Sequence, residues 1–145
     1  MASFFAYGSL IFDSVVRAVT GGTFESEQAT LKGFARYTVQ GATYPGLIPD
    51  ARQVVKGTLY RHVTSHALRL LDRFEGEYYE RCTVTVETAE GRKDQAETYV
   101  IREAYRHLLS EEAWDPQIFE RNHLRAFLSS YQGFGWVDQE HAHDR

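Results

Sequence analysis

Apolar residues along this chain fall into two spacings, and the switches between them mark its elements. Phe4, Phe5 and Tyr7 form a short apolar run that ends at Gly8-Ser9. Aromatics favour extended backbone and glycine permits a sharp exit, so the run predicts a buried strand. Asp13 as N-cap, then Val15, Val16 and Val19, then Gly21-Gly22 predict a short helix with a glycine stop. Residues 23–32 are mixed in character, Gly33 interrupts, and residues 34–39 have strand composition. Residues 41–50 hold two of the three prolines and two glycines, which predicts a shaped loop or an edge segment. Alternation resumes over residues 53–63, with Val55, Gly57, Leu59 and Arg61 on one face. A glycine inside that strand predicts a bulge or a close approach to the backbone.

The second half repeats the pattern. Thr64 or Ser65 caps a helix whose stripe is Ala67, Leu68, Leu70, Leu71 and Phe74, and Gly76 stops it. Residues 78–87 set Cys82, Val84 and Val86 against Arg81, Thr83 and Thr85. A turn at Glu90-Gly91-Arg92-Lys93 then returns residues 95–102 as a hairpin partner. Asp115-Pro116 predicts the start of one longer helix, with Phe119, His123, Phe127 and Tyr131 on a stripe flanked by Leu124 and Leu128, ending at Gly133. About six strands, two short helices and one longer terminal helix predict an α+β fold with a curved or barrel-like sheet. Residues 1–137 form the expected single domain, and residues 138–145 a polar tail.

Composition narrows the function classes. The 16 Lys and Arg against 20 Asp and Glu give a net charge of −4, which does not recommend a nucleic-acid partner. The single cysteine excludes an internal disulfide and fits a reducing compartment. No apolar run approaches the roughly 18 residues of a membrane span, and the first ten residues lack the pattern of a secretory signal, so a cytoplasmic protein is expected.

Three features can carry chemistry. In a strand-turn-helix junction the N–H groups of Gly8, Ser9 and Leu10 can converge on an anionic oxygen, although the same residues also suit an ordinary turn. Glu75 falls in the last turn of the middle helix, where the negative end of the helix dipole disfavours a carboxylate. Facing a partly dry cavity there, it would have its pKa raised from about 4.3 toward the range of a general base. Glu77 and Glu80 are rivals that spacing alone does not separate. Cys82, mid-strand among Val and Thr, reads as a packed thiol. The six histidines include no pair at metal-ligand spacing on one helical face, and His141-x-His143-Asp144 reads as a solvated terminus.

Taken in order, Tyr7-Gly8-Ser9-Leu10, Tyr44-Pro45-Gly46, Gly57-x-Leu59-Tyr60 and Leu71-Asp72-x-x-Glu75-Gly76-x-x-Tyr79-x-Arg81 resemble the gamma-glutamylcyclotransferase-like superfamily. The pattern Trp114-Asp115-x-x-x-Phe119-x-x-x-His123-x-x-x-Phe127 looks like its avirulence-induced-protein-like branch. The resemblance implies a small mixed β-barrel with a cavity. It also implies a loop at Tyr7, Gly8, Ser9 and Leu10 offering amides to the substrate, and Glu75 as acid/base in preference to Glu77 and Glu80. Tyr7, Tyr44, Tyr79 and Tyr99 are the expected wall. The implied reaction needs no cofactor and no metal: a gamma-glutamyl compound closes on itself, leaving 5-oxoproline and an amine. The expected partner is that small molecule, with no nucleic acid and no membrane. The alternative is a small-ligand-binding or stress-response protein that keeps the barrel and the anion-binding loop without turnover.

Overall fold

In the computed structural model, which describes residues 2–134, the Phe4-Phe5 pair explains the architecture. The two side chains leave opposite faces of strand β1 (Ala2–Ala6), and both are buried. Phe5 joins Leu31, Leu47, Val55, Leu59, Val86 and Ala96 in a barrel interior, whereas Phe4 joins the apolar faces of the helices outside it. A strand covered on both sides carries a continuous apolar run instead of alternation.

Besides β1, the closed barrel contains β2 (Ser26–Val39), β3 (Pro45–Val63), β4 (Tyr79–Thr88) and β5 (Lys93–Ile101). Their order is β3-β1-β5-β4-β2, and β2 pairs back onto β3 to close the ring. The β1–β5 pair is parallel and the other pairs are antiparallel, so the barrel is mixed, as expected of this α+β fold. Strand β6 (Leu109–Ala113) adds to β2 outside the ring. The helices are α1 (Asp13–Thr20), α2 (Ser65–Glu75), α3 (Pro116–Asn122) and α4 (Leu124–Phe134). Among the described residues no helix is long and apolar enough to cross a membrane.

Several elements differ from the sequence reading, each for a local reason. Gly33 does not interrupt β2. At φ +88° it sits where the register with β3 shifts, a bulge within one long strand. Of the two expectations for residues 41–50, the edge segment holds for residues 45–50, which are strand: Pro45 is the first residue of β3, and Pro49 lies beside the same irregularity, two places where a missing N–H is tolerated. Gly57 makes no bulge. A Cβ there would collide with the Ala6 carbonyl oxygen and the Phe5 ring, so it is the close approach that needs glycine. Asp13 is the first residue of α1 and pairs with Arg17 at 2.6 Å, while Phe12 holds the N-cap position.

The terminal helix is two helices, broken at His123, whose φ of −131° and ψ of −22° leave the helical region. The aromatic stripe survives the break, with Phe119 between Phe12 at 5.9 Å and Phe127 at 6.2 Å. Gly133 lies inside α4 and does not end it. The side chain of Tyr131 and the whole 138–145 tail lie outside the described residues.

Candidate functional site

After Ala6 the chain leaves the sheet through Gly8 and makes a single 3-10 turn, Ser9–Ile11, before α1. The place of Gly8 is tight, because a Cβ there would lie 3.0 Å from the Pro45 ring, which would have to give by a few tenths of an ångström. Each carbonyl along residues 7–12 has a donor. Arg36 Nη1 donates to Tyr7 O at 2.8 Å, Ile11 N to Gly8 O at 2.9 Å, and Phe12 N to Ser9 O at 3.3 Å. The Tyr60 hydroxyl is shared between Leu10 O at 2.8 Å and Ile11 O at 3.0 Å, and Val15 N reaches Phe12 O at 2.9 Å. In contrast, among the described residues no hydrogen bond within the chain takes up the N–H of Gly8, Ser9 or Leu10. Ser9 and Leu10 are buried. Buried N–H groups almost always find an acceptor, so a corner whose carbonyls are tied back and whose amides are left open suits an anion.

Glu75 reaches the same place from the other end of the fold. Thr64 caps α2 by accepting from Ala67 N at 3.1 Å, and the buried stripe Ala67, Leu68, Leu71 and Phe74 fixes the rotation of the helix. That rotation turns Glu75, 9% exposed, inward as the last helical residue, and Gly76 ends the helix at φ +81°. Glu75 lines a narrow, partly open pocket together with residues 4–10, Tyr44, Pro45 and Tyr99.

Tyr99 is 2% exposed, and its hydroxyl donates to Asp72 Oδ1 at 2.6 Å. Asp72 in turn forms an ion pair with Arg81, its Oδ1 lying 3.0 Å from Nε. Burial first, then the Asp72 hydrogen bond and the Glu75 charge, push the Tyr99 pKa far up, so the phenol keeps its proton. With that proton committed to Asp72, the Tyr99 oxygen has only lone pairs left for any other partner.

The structure brings Tyr7, Gly8, Ser9, Leu10, Tyr44, Glu75 and Tyr99 around one pocket. Tyr79 is not among the residues lining it: it stands behind Pro45, donating to the Pro45 carbonyl at 2.7 Å, and so shapes the wall from outside. Glu77 and Glu80 are exposed, and Glu80 pairs with Arg102 at 3.3 Å. Burial and then Glu80 push the Cys82 thiol up, away from the thiolate form that a nucleophile needs. The His141–His143 motif lies outside the described residues.

Two residues behind the site are given no role there by the sequence, although Trp114 stands in the branch pattern. Arg36 of β2 donates from one nitrogen to Tyr7 O and to Lys56 O at 3.1 Å, and its guanidinium lies 5.3 Å from the ring centre of Trp114. Burial draws the Arg36 pKa down, with Asp115 and Tyr7 acting in the opposite direction. Trp114 donates from Nε1 to Thr43 O at 2.8 Å, next to Tyr44. Partial alternation in residues 34–39 gives no sign that an arginine there turns toward a backbone carbonyl far along the chain.

The model of a family described as gamma-glutamyl cyclotransferase, AIG2-like, matches residues 4–116. AIG2-like protein D of Arabidopsis thaliana is 34% identical over 136 residues, covering 92% of this chain and 89% of that protein. A solution structure from Arabidopsis thaliana superposes with a TM-score of 0.69 at 30% identity, over 92% of this chain and 89% of that one. A solved gamma-glutamyl cyclotransferase superposes with a TM-score of 0.66 over 97% of this chain and 85% of that one, at 19% identity, which speaks for the fold alone. On the sequence match, and in keeping with the barrel and the order of its motifs, the chain belongs to the gamma-glutamyl cyclotransferase, AIG2-like family.

Proposed function

We propose that the chain is a cyclotransferase acting on a small gamma-glutamyl amide. The observation that carries this reading is the meeting of one inward carboxylate, Glu75, with the open amides of residues 8–10 in a single pocket. Glu75 accepts a proton from the substrate α-ammonium, whose pKa of about 8 is within reach of a positioned carboxylate. The freed amine attacks the γ-carbonyl carbon, a carbon–nitrogen bond forms, and the carbonyl electron pair moves onto oxygen. Collapse of that intermediate breaks the original amide bond: Glu75 returns the first proton to the departing nitrogen, and the second proton, shed by the attacking nitrogen as it becomes an amide, also passes to the amine, which leaves as an ammonium ion. Atoms and charge balance without any further reactant: the products are 5-oxoproline and an amine. The three N–H groups hold one of two anions, the tetrahedral oxygen or the substrate carboxylate. The pocket wall keeps the substrate bent, since ring closure depends on orientation.

A second reading is binding without turnover, for which the same barrel and open amides suffice. One assay separates the two. Purified protein is incubated with gamma-glutamyl amino acids, gamma-glutamyl-lysine and glutathione, and 5-oxoproline is measured directly. Turnover is expected on at least one of them, lowered about 100-fold or more by Glu75→Gln with the fold retained. A variant as active as its parent removes Glu75 from the mechanism, and saturable binding with no product from the whole panel favours the second reading.

A further inference from the structure

We propose that Arg36 is the positioning residue of the amide corner: held behind the pocket wall, it grips the Tyr7 carbonyl and thereby aims the Gly8 N–H into the pocket. The inference rests on the reading of that corner as an anion site. The Tyr7–Gly8 peptide is trans, as are the other described peptides, so its C=O and N–H point in opposite directions. Fixing the carbonyl on Arg36 Nη1 at 2.8 Å therefore fixes the amide on the other side.

The grip is itself rigid. The same nitrogen reaches Lys56 O at 3.1 Å on β3, and the guanidinium plane is backed by Trp114. Trp114 is tied to Thr43 O and packed 5.7 Å from Phe119. Among the described residues no carboxylate lies within ion-pair distance of Arg36, so its charge is not neutralised by contact. A cationic donor on a carbonyl polarises the whole peptide, which makes its N–H a stronger donor to an anion. The charge and the geometry thus act in the same sense at the same amide. Lysine supplies the charge without the planar face or the second donor direction.

The test pairs a binding readout with turnover. The ¹⁵N-labelled protein is titrated with 5-oxoproline while the amide signals of Gly8, Ser9 and Leu10 are followed, and 5-oxoproline release is measured on the best substrate of the panel. In the parent, these three amides are expected to shift. Arg36→Met keeps an apolar stem against Trp114, and it is expected to weaken 5-oxoproline binding about tenfold and to lower kcat/KM roughly 10- to 100-fold. Arg36→Lys is expected to recover part of both losses, within about fivefold of the parent. A purely structural role would lower the unfolding midpoint while leaving the Gly8 response of the folded protein unchanged, and that result overturns the inference. If Arg36→Met does not fold, Arg36→Lys decides alone: a parental Gly8 signal with parental turnover overturns it, and a displaced Gly8 signal with reduced turnover upholds it. A parent that neither turns over nor shifts these amides sinks the reading of the corner together with the inference. A responsive parent with indifferent variants sinks the inference alone.

Discussion

A phenol has one proton to give, and where it goes decides what the side chain can recognise. Tyr99 gives its proton to Asp72, one helical turn before Glu75, and Arg81 holds Asp72 in place from β4. The residues lining the pocket therefore combine donors, the amides of residues 8–10, with an acceptor, Glu75, beside a phenol whose proton is already given. That combination fits a molecule carrying an ammonium and an anionic oxygen a few bonds apart. Because burial, Asp72 and Glu75 all raise the Tyr99 pKa, its ionisation falls well above the ordinary tyrosine range. A difference titration of parent against Tyr99→Phe, read by phenolate absorbance, should show no amplitude from this residue between about pH 9 and 11. The same variant should lose about 1 kcal/mol of stability, since the partly buried Asp72 bond goes with the hydroxyl. An amplitude worth one tyrosine in that window would contradict the assignment of the proton.

At the scale of the element, glycines that look alike in the sequence do unlike jobs. Gly33 has a positive φ and nothing within 4 Å of where a Cβ would stand, so its role is conformational. Gly57 has ordinary backbone, and the space is what it supplies: the Ala6 carbonyl and the Phe5 ring occupy the place of any side chain. Gly33→Ala should accordingly cost about 1 kcal/mol, while Gly57→Ala should cost about 3 kcal/mol by forcing β1 and β3 apart. Urea unfolding of both variants checks the order, and equal costs would refute the distinction. The need for glycine within residues 53–63 is legible in the sequence, because alternation with a gap leaves few explanations. The continuity of β2 through Gly33 is not. A bulge glycine and a turn glycine have the same local signature, and only the partner strand tells them apart. The helix break at His123 is hidden for a similar reason: the apolar stripe keeps its spacing across the break, and packing against Phe12 and Phe74 holds the two pieces in line.

For the molecule as a whole, closure of the barrel is supported electrostatically away from the pocket. Arg61 on β3 donates to Glu27 on β2 at 2.7 Å and to Asp94 on β5 at 2.8 Å. The Arg61 hydrogen bond, ahead of all other causes, holds the Asp94 carboxyl below its usual value of 3.8. A depressed folded-state pKa contributes stability above the unfolded value and loses it as pH falls through the folded one. Asp94→Asn should therefore reduce stability at neutral pH and flatten the fall in stability below about pH 4, measured as unfolding midpoint against pH. A variant whose acid limb matches the parent would exclude this network as a contributor.

By itself the sequence determined what depends on neighbours in the chain: the strand ending in Gly8-Ser9, the capped helix that leaves Glu75 just ahead of Gly76, and the hairpin of β4 and β5. It also carried the order of motifs that marks the family. Hydrophobic period, caps and turns act over a few residues, so a linear reading reaches them. Only the tertiary structure decided that Glu75, which the order of motifs already preferred, turns inward, that Tyr79 supports the pocket wall without lining it, and that Arg36 and Trp114 stand behind the amide corner. Those facts arise where barrel closure brings residues dozens of positions apart into hydrogen-bond contact, and no local pattern encodes that distance.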